Sequence, residues 1–241
     1  MRFVFPAPAT PAIPIEGTDG FFPVRRIWCM GRNYAEHARE MGAEASRAST
    51  FFFAKPADAV VPLGGALPYP SATNDLHHEV ELAVVLSGGG TNIPVEEASR
   101  LIFGCAIALD MTRRDLQAEF KRMAWPWDMG KGFDQSCPIS AIRPTSGTEA
   151  AFTGEIELAV NGEVRQRGEL SDMIWSVPEC IAALSRLVRI EPGDVLLTGT
   201  PAGVGPVVIG DVLEARCAVT PSLRVEYQAA SVVGERDARR V

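Results

Sequence analysis

The chain has 241 residues, a net charge of −7 and a pI near 5.1, enough for one large domain with a full apolar core. Its lysines and arginines are nowhere clustered without acids among them, which excludes a nucleic-acid or anionic-membrane surface as its partner. No apolar run nears the roughly 18 residues of a membrane-spanning helix. The N-terminus lacks the basic start and apolar core of a signal peptide, and the five scattered cysteines suit neither a disulfide framework nor a zinc site, so a reducing cytosol is expected.

In chain order, MRFVFPAPATPAIPIEG reads as a short strand and a Pro-rich lead-in, which together extend over residues 1–24. A strand is predicted over Arg26–Met30, a helix over Asn33–Met41 and a strand over Phe51–Ala54. NDLHHEVELAVVL gives a strand at Val80–Leu86. A helix follows Pro94, over Val95–Phe103, and then a strand, Cys105–Leu109. Thr112 is a plausible N-cap for the next helix, in TRRDLQAEFKR, whose mixed charges suit a solvated face. IELAV-NG-EVRQRG is a hairpin, with Ile156–Val160 as its first strand and Asn161-Gly162 suited to a tight turn. A helix over Val177–Val188 carries a capping box in Ser176 and Glu179, with Pro178 tolerated in the first turn. Strands at Asp194–Leu197 and Leu223–Tyr227 come last, before a polar tail at 229–241. Strands outnumber helices without βαβ alternation, so the expected class is α+β, mainly β, with antiparallel or mixed sheets and peripheral helices.

Glu79 and Glu81 raise a physical problem. They are two residues apart at the start of an apolar strand and so share one face. Two like charges losing water side by side need compensation, and a divalent cation is the simplest. Asp110, at the end of the strand GCAIALD, is either a helix cap or a third ligand. Three carboxylates with no close cysteine pair point to a hard ion such as Mg²⁺ or Mn²⁺, which takes about six ligands and leaves about three positions for water or substrate. His77 shares the alternation, so a histidine–carboxylate iron site is an alternative, although structural roles suit His77 and His78 better. His37 precedes Glu40 by three residues on the predicted helix, either as a surface pair or as a general base oriented by a carboxylate. Lys131, between glycines in DMGKGFD, is either a solvated loop lysine or a partner for an anion. LLTGTPAGVGP lacks the ending of a nucleotide-binding P-loop, but its backbone amides suit a carboxylate.

Taken together, GRNYAEHAREMG, FFFAKP, LHHEVELAVVL, ALDMTRRDLQ, KGFDQSCPI and LLTGTPAGVGPV resemble the fumarylacetoacetate hydrolase family over about residues 25–228. The resemblance implies a mixed β-sandwich roll of that family's C-terminal-domain type and, usually, a homodimer. It implies one Mg²⁺ or Mn²⁺ per chain on Glu79, Glu81 and Asp110. It places His37 and Glu40 on a lid between Gly31 and Gly42 that orders over substrate, and Lys131 beside metal and substrate. Arg32, Arg114, Gln117 and Thr200 become expected substrate contacts. Nothing in the chain matches the long N-terminal domain of fumarylacetoacetase, so the likeness is to the shorter acylpyruvate-hydrolase branch. Within that branch it is greatest to the fumarylpyruvate hydrolases of gentisate catabolism, acting on a 2,4-diketo acid. Oxaloacetate decarboxylation and related isomerisations are the alternative activities that the family implies.

Overall fold

The computed structural model describes residues 3–40, 42, 47, 50–145 and 152–230. Its centre is an eight-stranded mixed sheet. Along it run Phe51–Lys55, Arg26–Gly31, Asp194–Leu197, Val80–Leu86, Ile102–Leu109, Cys137–Ile139 and Val60–Pro62, with Arg143–Pro144 paired to Ile102–Leu109 beside that path. A second sheet of five strands orders Glu163–Glu169, Glu155–Val160, Val212–Cys217, Leu223–Gln228 and Gly65–Pro68. Thr112–Arg113, Leu76–His78 and Gly205–Val207 form a small third sheet. The α+β, mainly β, curled-sheet class follows directly from this arrangement.

The run VELAVVL is apolar on both sides because both of its faces are covered. Leu82 and Val84 face a core shared with Leu158, Leu213, Val225 and the helix Val177–Ser185. Ala83 and Val85 face a second core, closed by Ile13, Phe22 and Val24. These three residues lie on or just after an N-terminal ribbon, in which Ala12–Pro14 pairs antiparallel with Phe21–Pro23. The strand expected at the very start of the chain is therefore displaced. Residues 3–11 hold no strand, and pairing begins inside the Pro-rich segment.

The hairpin forms as expected, with Asn161 and Gly162 both at positive φ (53° and 81°). The capping box also forms, as the Glu179 carboxylate accepts from the Ser176 amide and hydroxyl, each at 2.9 Å. Two helices are shorter than predicted. Val177–Ser185 ends three residues early, and Val95–Ala98 gives way to a 3₁₀ turn, Ser99–Leu101. There Ile102 and Phe103 are claimed by the strand Ile102–Leu109, whose pairing to Val80–Leu86 buries nearly all of it. The helix expected over Asn33–Met41 begins at Ala35 and runs to Glu40; Met41 lies outside the described residues, as does nearly all of the polar tail.

Candidate active site

Strand register assembles the acid cluster. Val80 pairs with Leu109 and Glu81 with Ala108. One step further, the Asp110 amide donates to the Glu79 carbonyl at 2.8 Å. This places Glu79 beside Asp110 and Glu81 on the same face, and a carboxylate oxygen from each lies within 4.8 Å of the others. All three are buried, with Asp110 0 % and Glu81 2 % exposed.

Cations surround two of the three. Lys131 Nζ lies 2.9 Å from Glu79 Oε2 and 2.6 Å from Asp110 Oδ2, and the Arg114 guanidinium donates to Glu79 Oε1. Burial pushes Glu79 up, but Lys131 and Arg114 reverse this and hold its carboxyl well below the usual carboxylate range. Burial likewise works against the charge on Lys131, and Asp110 and Glu79 restore it and raise its pKa. Glu81 differs. It accepts one hydrogen bond, from the Gly199 amide at 2.7 Å, and has no ion pair among the described residues. Burial and the charges of Asp110 and Glu79 push it well above the usual range. Asp110 Oδ1 lies 2.8 Å from Lys55 Nζ yet receives no directed hydrogen bond, since Lys55 aims its protons at the carbonyls of Met111 and Lys131. An unmatched buried carboxylate, a free carboxylate lone pair and an all-oxygen donor set fit a hard divalent ion such as Mg²⁺ or Mn²⁺.

The cluster forms the floor of a cavity enclosing about 530 Å³, mouth included. Arg32, His37, Arg114, Gln117, Lys131 and Thr200 all line it with the three acids. Glu40 stands behind His37, its Oε2 3.3 Å from His37 Nδ1, and its carboxylate also accepts from the Gly203 amide. A ring nitrogen that donates to Glu40 leaves Nε2 as the proton acceptor. The Thr200 hydroxyl accepts from Gln166 at 2.7 Å, so its own proton is free for the cavity. Gly199 holds φ at 97°, and a Cβ there would meet that of Asn33 at 2.6 Å; only glycine lets this amide reach Glu81.

One alternative closes and one expectation changes. His77 keeps the structural role that suited it better than a ligand's. Its Nδ1 accepts from Arg114 at 3.4 Å and its Nε2 contacts Asp75 at 2.9 Å, so neither ring nitrogen is open to an ion. Thr112 does not cap the helix Arg114–Met123; its hydroxyl bonds Glu79 Oε1 and the Asp110 carbonyl instead. Asp110 itself is a cluster residue rather than a cap.

Two site residues escaped the sequence. Lys55 is buried where Phe51–Lys55 ends, and the alternation Phe51, Phe53, Lys55 was the available signal. Gln166 is wholly buried and links three segments. Its Oε1 bonds His78 Nδ1 and the Val80 amide, and its Nε2 bonds Thr200 and the Pro201 carbonyl. A register shift leaves Arg165 unpaired and turns Gln166 inward, which no residue pattern signals.

Among the described residues no helix is long and apolar enough to cross a membrane. All five cysteines are free, and burial pushes their thiols up, which makes them poor nucleophiles and metal ligands.

Comparison with known proteins agrees with this geometry. Fumarylpyruvate hydrolase from Pseudomonas aeruginosa, solved in complex with Mn²⁺ and pyruvate, superposes with a TM-score of 0.92 at 44 % identity, over 95 % of this chain and 100 % of that one. The mitochondrial oxaloacetate tautomerase of Homo sapiens is 42 % identical over 80 % of this chain and 90 % of its own length. The mitochondrial oxaloacetate decarboxylase of Dictyostelium discoideum is 40 % identical over 81 % and 89 %. Residues 26–228 match the family described as fumarylacetoacetate (FAA) hydrolase C-terminal, and the chain belongs to the fumarylacetoacetate hydrolase family.

Proposed function

We propose that this chain is a divalent-metal-dependent hydrolase of acylpyruvates, with 3-fumarylpyruvate as its substrate and fumarate and pyruvate as its products. The observation that carries the reading is the His37–Glu40 pair, which opens onto the same cavity as the three carboxylates. Hydrolysis needs a base for water, and decarboxylation does not. The Pseudomonas aeruginosa relative, named as a fumarylpyruvate hydrolase, supports the same choice.

Held by Glu79, Glu81 and Asp110, Mg²⁺ or Mn²⁺ supplies Lewis acidity to the 2-oxo acid end of the substrate. Arg114 and Lys131 keep Glu79 ionised and hold Glu79 and Asp110 in place, and Gln117 orients the bound acid. His37 Nε2, with the opposite nitrogen held by Glu40, takes a proton from water. The water oxygen bonds to C4, and the C4 oxyanion forms within reach of the Thr200 hydroxyl and the Lys131 ammonium. The C3–C4 bond then breaks, its electron pair passing to C3. The proton that His37 took from water passes to C3 and completes pyruvate, the base is restored, and the acyl fragment leaves as fumarate. The same reading places the chain in the cytoplasm, in gentisate breakdown, as a homodimer.

A second reading, decarboxylation or tautomerisation of oxaloacetate, is favoured by the names of the Homo sapiens and Dictyostelium discoideum relatives. The test follows the ultraviolet absorbance of fumarylpyruvate and identifies both products. His37→Ala is expected to lose about 10²–10⁴ in the hydrolytic rate and much less in turnover of oxaloacetate. Brisk consumption of oxaloacetate by the unmodified protein, with no fumarate from fumarylpyruvate, would transfer the assignment to the second reading.

A further inference from the structure

Two elements supply much of the cavity wall. One is the strand Phe51–Lys55. Phe51 and Phe53 line the cavity, and the same alternation continues to Lys55, buried beneath them against Asp110. The other is the helix Arg114–Met123. Arg114, Gln117 and Lys121 fall at spacings of three and four residues, one stripe of the helix, and all three line the cavity. Arg114 touches the acid cluster, and Lys121 is exposed at the opposite end.

Each wall carries a cation at its outer end. Lys131 Nζ lies 5.0 Å from the Phe53 ring centre, and the Arg32 guanidinium lies 5.7 Å from that of Phe51. Two strand residues on one face are spaced by roughly 7 Å, and Gln117 to Lys121 is roughly 6 Å along the helix. From Arg114, at the acid cluster, to Lys121 is seven residues, roughly 10 Å along the helix, so each wall sets a second positive group roughly 7–10 Å beyond the first. Arg32 and Lys121 form no ion pair among the described residues, whereas the other two cations that line the cavity, Arg114 and Lys131, do. Arg32 also holds a left-handed backbone (φ 59°), an arrangement a non-glycine residue keeps only under constraint. Between the two sites stand Phe51, Phe53 and Trp127, with Trp127 packed edge-on to Phe51 at 5.5 Å.

We infer that Lys121 and Arg32 form a second carboxylate site at the cavity mouth, which selects 2-oxo acids bearing a far carboxylate beyond a flat, apolar middle. The assignment rests on the proposed binding of the 2-oxo acid end at the acid cluster. It gives the cavity a length preference. A long diacid spans floor and mouth, and the aromatic wall takes its unsaturated centre. A four-carbon diacid that occupies the floor stops short of Lys121. The two cations read the substrate and take no part in bond breaking.

The test compares two unreactive probes of equal chain length, 2-oxopimelate and 2-oxoheptanoate, which differ in the far carboxylate. Their affinities are measured by calorimetry on the Mg²⁺-loaded protein. The unmodified protein is expected to prefer the diacid about tenfold, in the range of one or two partly exposed charge-assisted contacts. In Lys121→Ala and Arg32→Gln the ratio is expected to fall, and in the double variant to approach one. Lys121→Arg restores it. Because Lys121 is exposed, a folding failure in its variants is not expected, and circular dichroism checks this. Equal binding of the two probes by the unmodified protein, or an unchanged ratio in the double variant, overturns the inference. Diacid preference without hydrolysis of any acylpyruvate leaves the mouth site standing and removes the hydrolase reading.

Discussion

At the scale of single residues, Glu81 is where charge and burial conflict most. It is buried with one amide donor and no cation, so the folded chain favours its neutral form. A carboxyl whose folded pKa lies above the ordinary value of 4.5 binds more protons folded than unfolded. Metal-free stability should therefore fall as pH rises from about 4.5 upward. The depressed Glu79 acts in the opposite direction, but only below 4.5, where its contribution is lost as the pH falls through its folded pKa. In the presence of a chelator, the urea midpoint of the unmodified chain should fall relative to that of Glu81→Gln as the pH rises above about 4.5, a comparison in which the opposite contributions of His77 and His78, whose pKa values burial lowers, cancel. Glu81→Gln should also lose most of the stabilisation that Mg²⁺ gives the parent chain. Equally steep curves for the two proteins would refute this account. Lys55 supplies the complementary case. Lys55→Met leaves Asp110 with one cation fewer, and breaking such a buried pair costs about 3–5 kcal/mol. The same change makes the cluster more negative, so added Mg²⁺ should recover more stability in the variant than in the parent. Denaturation curves with and without Mg²⁺ measure both effects, and a smaller recovery in the variant would contradict them.

At the scale of elements, what could be read early was what local rules determine. Ser176 and Glu179 cap their helix through contacts three residues apart, and Asn161-Gly162 dictates its own turn. Glu79 and Glu81 could be placed on one face because strand alternation is a local property. Lys55 and Gln166 need more than a local rule: alternation puts Lys55 on the face of Phe51 and Phe53 without making that face internal. A lysine closing an apolar strand normally leads into solvent, and only the arrival of Asp110 from another strand makes Lys55 internal. Gln166 turns inward through a bulge that depends on the partner strand. The helix Ala35–Glu40 lies between these cases. Its existence was readable, but its attachment is tertiary: Glu40 accepts from the Gly203 amide at 3.3 Å, and Tyr34, just before the helix, bridges to Met173. Six residues are too few for a helix to stand alone. A pyruvate analogue such as oxalate, added with Mg²⁺, should raise hydrogen-exchange protection of the amides of residues 35–40, as expected of a lid that closes over bound acid. Identical protection with and without oxalate would remove the lid from the mechanism.

At the scale of the molecule, the central sheet has a core on each face, and the acid cluster sits where the paired ends of Val80–Leu86 and Ile102–Leu109 emerge from it. Rigidity at the cluster thus depends on both covers of the sheet. One cover is the five-stranded sheet with the helix Val177–Ser185; the other is the N-terminal ribbon, which contributes Ile13, Phe22 and Val24. The ribbon is tied down by the Ile142 amide on the Pro14 carbonyl at 2.8 Å and by Arg143 on Glu16. Three buried apolar side chains at about 1.5–3 kcal/mol each amount to a large share of the 5–15 kcal/mol by which a typical domain is stable. Removing residues 1–24 should therefore expose the face formed by Ile27, Cys29, Ala83, Val85 and Ala106. The product should be insoluble, or unfold at much lower urea. Removing residues 1–10, whose described members 3–10 contain no strand and no residue of either core, should cost far less. Urea midpoints of the two truncations at one protein concentration decide the matter. A truncation through residue 24 with the parent's midpoint and Mg²⁺ affinity would show that the site is held by the remaining sheets alone.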